Sequence, residues 1–410
     1  MKRIFICIFF LQFLVVNTAQ SGGYQVSLHG HKNMGMGLIG TSLNFDASTV
    51  FLNPGAMATL SSKYSFMAGI SGIRSTTKFQ LEKPSIYQAA TDNPRSTPFY
   101  LYATARIAEN LSLGLAVNTP YGNSLKWEEG WAGRFLIQEI SLQAITIQPT
   151  VAYRLSESIS LGAGFVVATG KVDLKRKLPV QNESGEGEVN ISGNTVNYGF
   201  NAGVFFVPIP DLNIGLSYRS LIKMKLDKAE AVFSVPESLS YLFPEANTVA
   251  TSLPLPANLD LGISYRFSDK LMAGITLNYV FWSAYESLDF DFEINTTALN
   301  DVQSPREYSN TIIFRTGAEY RVLENLFFRA GAYFDPSPVN EIYFSPETPG
   351  LNNIGLSTGL SFVPMDNLSI DLGFLYVMGI EKDISFLPAN FNGTYKSRAY
   401  ISGFGVSYNF

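Results

Sequence analysis

The chain has 410 residues, a net charge of −5, one cysteine, 13% aromatic residues and only 15% charged ones. Soluble domains usually carry about 25% charged residues, which disfavours an ordinary two- or three-domain soluble protein, and the acidic balance gives no support to nucleic-acid binding. A lone thiol at Cys7 excludes a disulfide framework and a thiolate metal site.

The N-terminus reads "MKRIFICIFFLQFLVVNTAQSGGY": Lys2 and Arg3, an apolar run from Ile4 to Val16, then small and polar residues. That is the pattern of a secretory signal peptide, here residues 1–21, cut after Ser21 to leave Gly22 first. The run is shorter than the roughly 20 residues a spanning helix needs; a retained anchor is the alternative. Cleavage would remove Cys7 and two positive charges.

Residues 22–63 lack sustained alternation but contain "NFDASTVFLNPGAMATL", with an Asn53-Pro54-Gly55 corner. Pro54 fixes φ, Gly55 accepts dihedrals other residues resist, and Asn53 suits a tight turn. The stretch is too apolar for a solvated tail, so it is expected to fold back as a hatch within whatever follows; a disordered periplasmic tail is the alternative.

From residue 64 the pattern is period-two alternation, the signature of strands. In "NLDLGISYRF", Leu259, Leu261, Ile263, Tyr265 and Phe267 share one face, and Asp260, Gly262, Ser264 and Arg266 the other. In "NLSIDLGFLYVM", Leu368 to Met378 alternate with Ser369, Asp371 and Gly373; "AYISGFGVSYNF" ends the chain on Tyr408 and Phe410 opposite Ser407 and Asn409. Fourteen strands are predicted, near 64–76, 98–108, 110–119, 140–155, 158–172, 189–208, 211–226, 256–267, 270–292, 308–322, 325–335, 353–363, 367–379 and 396–410. Short turns ("AEN", "SES", "PIPD", "SDK", "LEN", "PMDN") alternate with long loops, including 120–139, 173–188, 227–255 and 380–395. Apolar-out strands, short periplasmic turns, long outer loops and an even strand number describe an outer-membrane barrel. The fold expected is all-β: a fourteen-stranded antiparallel transmembrane β-barrel, residues 64–410, with the hatch, residues 22–63, in a lumen too wide for wall side chains to fill.

The chain also resembles the FadL family of outer-membrane transporters for long-chain fatty acids and other hydrophobic compounds. The resemblance lies in "GGYQ" at the proposed mature start, "GMGLIGTS" followed by "LNPGAM", "EGWAGRF", "LPANLDLGISYRFSDK", Trp282-Ser283, "FRAGAYFDPSPV" and a terminal aromatic residue. Gly55 stands where the family corner has alanine. The resemblance implies capture of a hydrophobic ligand between long loops, passage to a tighter pocket beside Tyr24 and the hatch, and a kink in the third strand that opens the wall toward the membrane. In "NLSLGLAVNTP" the expected weak points are Gly114 and Pro120.

Candidate ligand-binding residues are the loop apolar groups Trp127, Trp131, Phe135, Leu239, Leu242 and Phe243, since exposed apolar clusters bind partners; aromatic anchoring at the membrane interface is the alternative. "PESLSYLF" could form a short amphipathic helix. Lys171 in "TGKVDLKRK" is the position where the resemblance places a basic residue near a head group, while Lys175, Arg176 and Lys177 could meet anionic lipopolysaccharide. Inward Arg106, Arg154, Arg219, Arg266, Arg315, Glu319, Arg329 and Asp371 are expected to neutralise one another in the lumen wall. No enzyme is expected: the two histidines, His29 and His31, sit in the hatch, away from any Ser-His arrangement, and without a carboxylate cluster they predict no metal or other cofactor. Expected partners are a hydrophobic small molecule, outer-membrane lipid and the barrel-assembly machinery. An aqueous porin and a shuttle for secreted proteins remain as alternative functions.

Overall fold

The computed structural model describes residues 23–182 and 185–410; the expected signal peptide with Cys7, and Gly22 as the expected first mature residue, lie outside them. Fourteen strand units run antiparallel in chain order around one sheet. They are Tyr64–Leu81, Phe99–Ala108, Leu111–Lys126, Glu139–Arg154, Ile159–Asn182 and Gly185–Ile209, then a seventh, Leu212–Arg219 continued by Ile222–Ser234. The eighth is Ala246–Leu255 continued by Asn258–Arg266, the ninth Leu271–Val280 with Ser287–Phe292, and the tenth Val302–Pro305 with Thr311–Leu323. Leu326–Asp335, Asn353–Met365, Leu368–Phe386 and Phe391–Asn409 complete the circuit. The last strand pairs with the first from Ser65↔Asn409 to Leu81↔Gly393, so the barrel has no free edge.

The alternation resolves as an apolar outer belt. Leu259, Leu261, Ile263, Tyr265 and Phe267 are exposed, whereas Gly262 and Ser264 face inward and are buried. Lipid, not water, is the solvent for that face, which is why bulky residues remain uncovered there.

Three expected outer loops prove to be strand. The fifth and sixth strands continue through 173–182 and 185–188, the seventh and eighth occupy most of 227–255, and the last two cover most of 380–395. The fifth strand is 24 residues long, about twice the 9–11 that cross a bilayer. Charges that hid this from a membrane-strand pattern pair across the hairpin: Lys175 and Lys177 both reach Glu188 at 2.8 Å. "PESLSYLF" makes only a single 3₁₀ turn, Glu237–Leu239, instead of an amphipathic helix.

The N-terminal segment is buried almost continuously from Leu28 to Leu60. It forms helices His31–Gly35 and Thr49–Leu52 and the 3₁₀ turn Pro54–Thr59. Its backbone presses directly on inward wall glycines: a Cβ on Gly215 would overlap Thr41, one on Gly317 Met36, and one on Gly203 the Asn53 side chain. Gly331 meets Gly37, itself at φ +65°, where a side chain would strain the chain and strike the wall together. The corner is fixed by Asn53, whose side-chain oxygen accepts from Gly55 N–H at 3.0 Å while its amide donates to the carbonyls of Thr41 and Val204 at 2.8 and 3.0 Å.

Lumen charges divide in two. Arg219 donates to Phe51 O at 2.9 Å and Arg315 to Leu38 O at 3.2 Å, tying wall to segment. Arg329 pairs with Glu319 at 2.5 Å, and Lys32 lies 3.1 Å from Asp46 and 3.8 Å from Asp371. Arg106, Arg154 and Arg266 do not join them. They sit at the short-turn end, where Arg106 donates to Ser61 O, Arg154 to Glu109 O, and Arg266 faces Asp211. Strand ends reach water there, so these cations need no lumen partner.

Candidate functional site

Above the segment the wall changes phase. In the seventh strand Gly215 and Ser217 point inward, but beyond Ser220-Leu221 the inward residues are Ile222, Met224 and Leu226. The eighth strand flips at the same level, from inward Asn258 and Gly262 to inward Leu255 and Val249 across Pro256-Ala257. A one-residue slip exchanges every side chain between faces. Outside the bilayer the outer face meets water, so lysines point out and the apolar set points in. "IKMKLDK" carries this inverted pattern plainly, and reading it against a single membrane phase conceals it.

The inward apolar residues line a narrow cavity of about 80 Å³, among them Ile140, Leu142, Leu174, Met224, Leu255 and Leu288. Tyr24 forms part of its lining; its ring is edge-on to Trp282 at 5.3 Å and its hydroxyl donates to Pro254 O. Beside it, Gly122 N–H donates to Tyr24 O at 3.0 Å and Val26 N–H to Pro120 O at 2.8 Å. The segment's first residues therefore pair with the third strand.

That pairing is available because the third strand is broken at this point. Against the fourth strand the register jumps between Asn118 and Tyr121. Against the second, the ladder ends at Tyr100↔Asn118, and the next backbone contact is Asp92 N–H to Lys126 O at 2.8 Å. Among the described residues no backbone hydrogen bond joins 120–125 to 93–98. Pro94, Pro98 and Pro120 border this gap, and a proline has no N–H to contribute to a ladder. Gly114 is not part of it: it pairs in register with Thr104 and Thr150, and a Cβ there would strike Met57 and Val50. Its small size admits the N-terminal segment and does not weaken the wall.

The loop residues expected to bind ligand are distributed differently. Trp127 and Trp131 are fully buried, stacked at 4.1 Å and 12°, with Phe79 edge-on to both. Their indoles donate to Pro346 O and Ile137 O. They are the hub of the loop cap, not an exposed patch. Phe135 is half-buried beneath the Arg134 guanidinium, Leu239 and Leu242 are half-buried, and Phe243 packs on Phe233. None of these six lines the cavity; Lys171 does, with its side chain 58% exposed and paired to Asp173 at 3.0 Å.

At the far side of the cavity Glu347, which lines it, holds the buried Arg306 at 2.8 Å. Burial would lower the proton affinity of the Arg306 guanidinium, but Glu347 and the tyrosines Tyr285 and Tyr308 outweigh it and hold it above the ordinary value. Neither histidine is arranged for chemistry. His29 packs tilted against Phe51, and His31 is held between Tyr100 at 2.6 Å and Ser71 at 3.1 Å. Among the described residues no group of three or more His, Cys, Asp or Glu is placed to hold a metal.

Comparison with known proteins agrees with this architecture. The family described as "Outer membrane protein transport protein (OMPP1/FadL/TodX)" matches residues 12–410. Outer membrane protein P1 of Haemophilus influenzae is 26% identical, over 76% of this chain and 74% of that protein. The long-chain fatty acid transport protein of Salmonella typhi is 24% identical, over 97% and 96%. In fold, a FadL homologue of Pseudomonas aeruginosa superposes with TM-score 0.82 at 19% identity, covering 95% of this chain and all of that one. The Pseudomonas putida toluene transporter TodX gives 0.73 at 14%, covering 96% and 99%. A closed fourteen-stranded barrel, filled by its own N-terminus and matched by one family over nearly its full length, places the chain among the OMPP1/FadL/TodX outer-membrane transport proteins, which are transporters and not enzymes.

Proposed function

We propose that the protein carries long-chain fatty acids or other hydrophobic compounds across the outer membrane by passive diffusion. Residues 22–63 act as the hatch, and the gap beside Pro120 is the lateral exit. The observation that carries this reading is the apolar cavity whose lining includes Tyr24, where Tyr24 is itself hydrogen-bonded into the break in the third strand. Residues 24–26 lie at the cavity through Tyr24 and pair with the broken strand, so a small shift of that short pairing would connect the two. The relatives named as fatty-acid and toluene transporters support the chemistry of the cargo.

The test is uptake of labelled oleate, and separately of toluene, by cells whose only such importer is this protein. Faster entry than in empty cells is expected for at least one of them. If neither enters faster, while sugars and ions pass through the purified protein in planar bilayers, the protein is a porin. Co-purified polypeptide in place of lipid would favour a secretion shuttle.

We also infer an interaction of the C-terminus with the barrel-assembly machinery. Phe410 is 57% exposed on the outer face, in an aromatic cluster with Tyr64 and Phe66. Phe410→Asp should lower the yield of heat-modifiable folded barrel in cells several-fold; an unchanged yield removes this role.

A further inference from the structure

The outer face of the closing strand pair carries an uncompensated positive charge just above the membrane. On the first, last and thirteenth strands the exposed belt of Ile70, Phe374 and Phe404 ends in Tyr376 and Tyr400, whose rings lie 5.1 Å apart. Aromatic pairs of this kind mark the membrane–water interface. The next outward positions are cationic. Arg74 stands opposite Tyr400, Arg398 opposite Thr76 and Met378, and Lys78 directly opposite Lys396, all four exposed. Like charges in register destabilise a sheet. Lys396 has Glu381 at 3.3 Å, but among the described residues no carboxylate lies within ion-pair distance of Arg74, Lys78 or Arg398. The lysines of the fifth strand differ: Lys171 is on Asp173, and Lys175 and Lys177 share Glu188.

Beyond these cations the same face opens into a groove of about 1080 Å³. Its lining runs from Lys78 and Lys396 through Gln80, Thr394, Asp383 and Asn392. Thr394 donates to Asp383, and Asn392 donates to Glu82 at 3.0 Å. Groups are therefore sorted by height, with apolar and aromatic residues lowest, cations next, and hydroxyl, amide and carboxylate groups farthest out.

We propose that this face binds a phosphorylated glycolipid of the outer leaflet. Its acyl chains lie on the belt below Tyr400, its phosphates meet Arg74, Lys78 and Arg398, and its sugars enter the groove. The order of groups on the protein is the order of groups on such a lipid. Guanidiniums match phosphate oxygens in pairs, and amides, hydroxyls and carboxylates pair with sugar hydroxyls. The site lies outside the wall, so it stands apart from the transport reading above.

The test is titration of the purified protein with a bisphosphorylated lipid A carrying its inner-core sugars, and with the same lipid after enzymatic removal of the phosphates. Bound lipid is counted by native mass spectrometry. Wild type is compared with Arg74→Gln/Lys78→Gln/Arg398→Gln and with Lys175→Gln/Lys177→Gln, each checked for heat-modifiable migration. Wild type should hold the phosphorylated lipid about tenfold or more tighter than the other, the triple variant should lose that preference, and the double variant should keep it within about twofold. Equal binding of both lipids by wild type overturns the proposal, and that comparison needs no variant. An equal loss in the two variants also overturns it, because the attraction is then spread over the whole surface. A phosphorylated core oligosaccharide without acyl chains that binds as tightly as the lipid overturns it too, in favour of a site for soluble saccharide.

Discussion

Replacing Lys32 with methionine should free the buried N-terminal segment while leaving the barrel closed. The Lys32 ammonium is the cation between two fully buried carboxylates, 3.1 Å from Asp46 and 3.8 Å from Asp371. Asp46 keeps two bonds from Ser48 and Asp371 keeps bonds from Ser361 and Ser369, but both lose their counter-charge. Removing one partner of a buried pair costs about 3–5 kcal/mol. The wall does not depend on this pair, since its strands are held by their own ladders from Ser65↔Asn409 round to Leu368↔Tyr408. Added protease should therefore cut within residues 28–60 of the variant while heat-modifiable migration is retained. Protection equal to wild type would show that the ion pair does not hold the segment. Adding Asp46→Asn should restore part of the protection by removing one stranded charge.

Asn53→Ala should reduce uptake without reducing capture. Asn53 is fully buried and serves three backbone groups at once: Gly55 N–H, Thr41 C=O and Val204 C=O. Alanine leaves all three short of a partner, at about 1–3 kcal/mol for each that stays unsatisfied. The corner is then disconnected from the sixth strand at Val204 and from the segment's own earlier turn at Thr41. Uptake of labelled oleate should fall about tenfold or more, on the order of one such lost bond expressed as a rate, while oleate retained at the cell surface changes little. Pro54→Ala should act more weakly, because it mainly frees the unfolded chain by about 1 kcal/mol or less. Equal loss of surface binding and uptake in Asn53→Ala would place the corner in the capture step instead.

The strand number, the chain closure and the buried N-terminal segment were legible because one physical rule, lipid outside and polar groups inside, governs every strand in the bilayer. Leu259, Leu261, Ile263 and Tyr265, exposed opposite the buried Gly262 and Ser264, follow it. Legibility failed where that rule stops. Above the membrane, Ile222, Met224 and Leu226 point inward and Lys223 and Lys225 outward, so the best cavity-lining residues do not follow the membrane phase and were not singled out. The tryptophans of "KWEEGWAGRF" were the loudest apolar signal in a loop, but a loop cap needs its own core, and Trp127 and Trp131 supply it. Glycine was ambiguous for a similar reason: at Gly114 it marks a place where something packs, and the break in the ladder belongs to prolines, above all Pro120.

The seat of His31 carries a consequence for how the molecule is built. Its imidazole bonds Ser71 of the first strand and Tyr100 of the second, and it lies so close to Gly403 and Gly405 of the last strand that a methyl group on either would overlap it. Half of that seat is made of the earliest wall residues to be synthesised and half of the very last. A partly built sheet, with its first and final strands apart, does not contain it. The part of the protein that leaves the ribosome soonest therefore finds its resting place only when the circle is complete, and it bridges the seam that completes it.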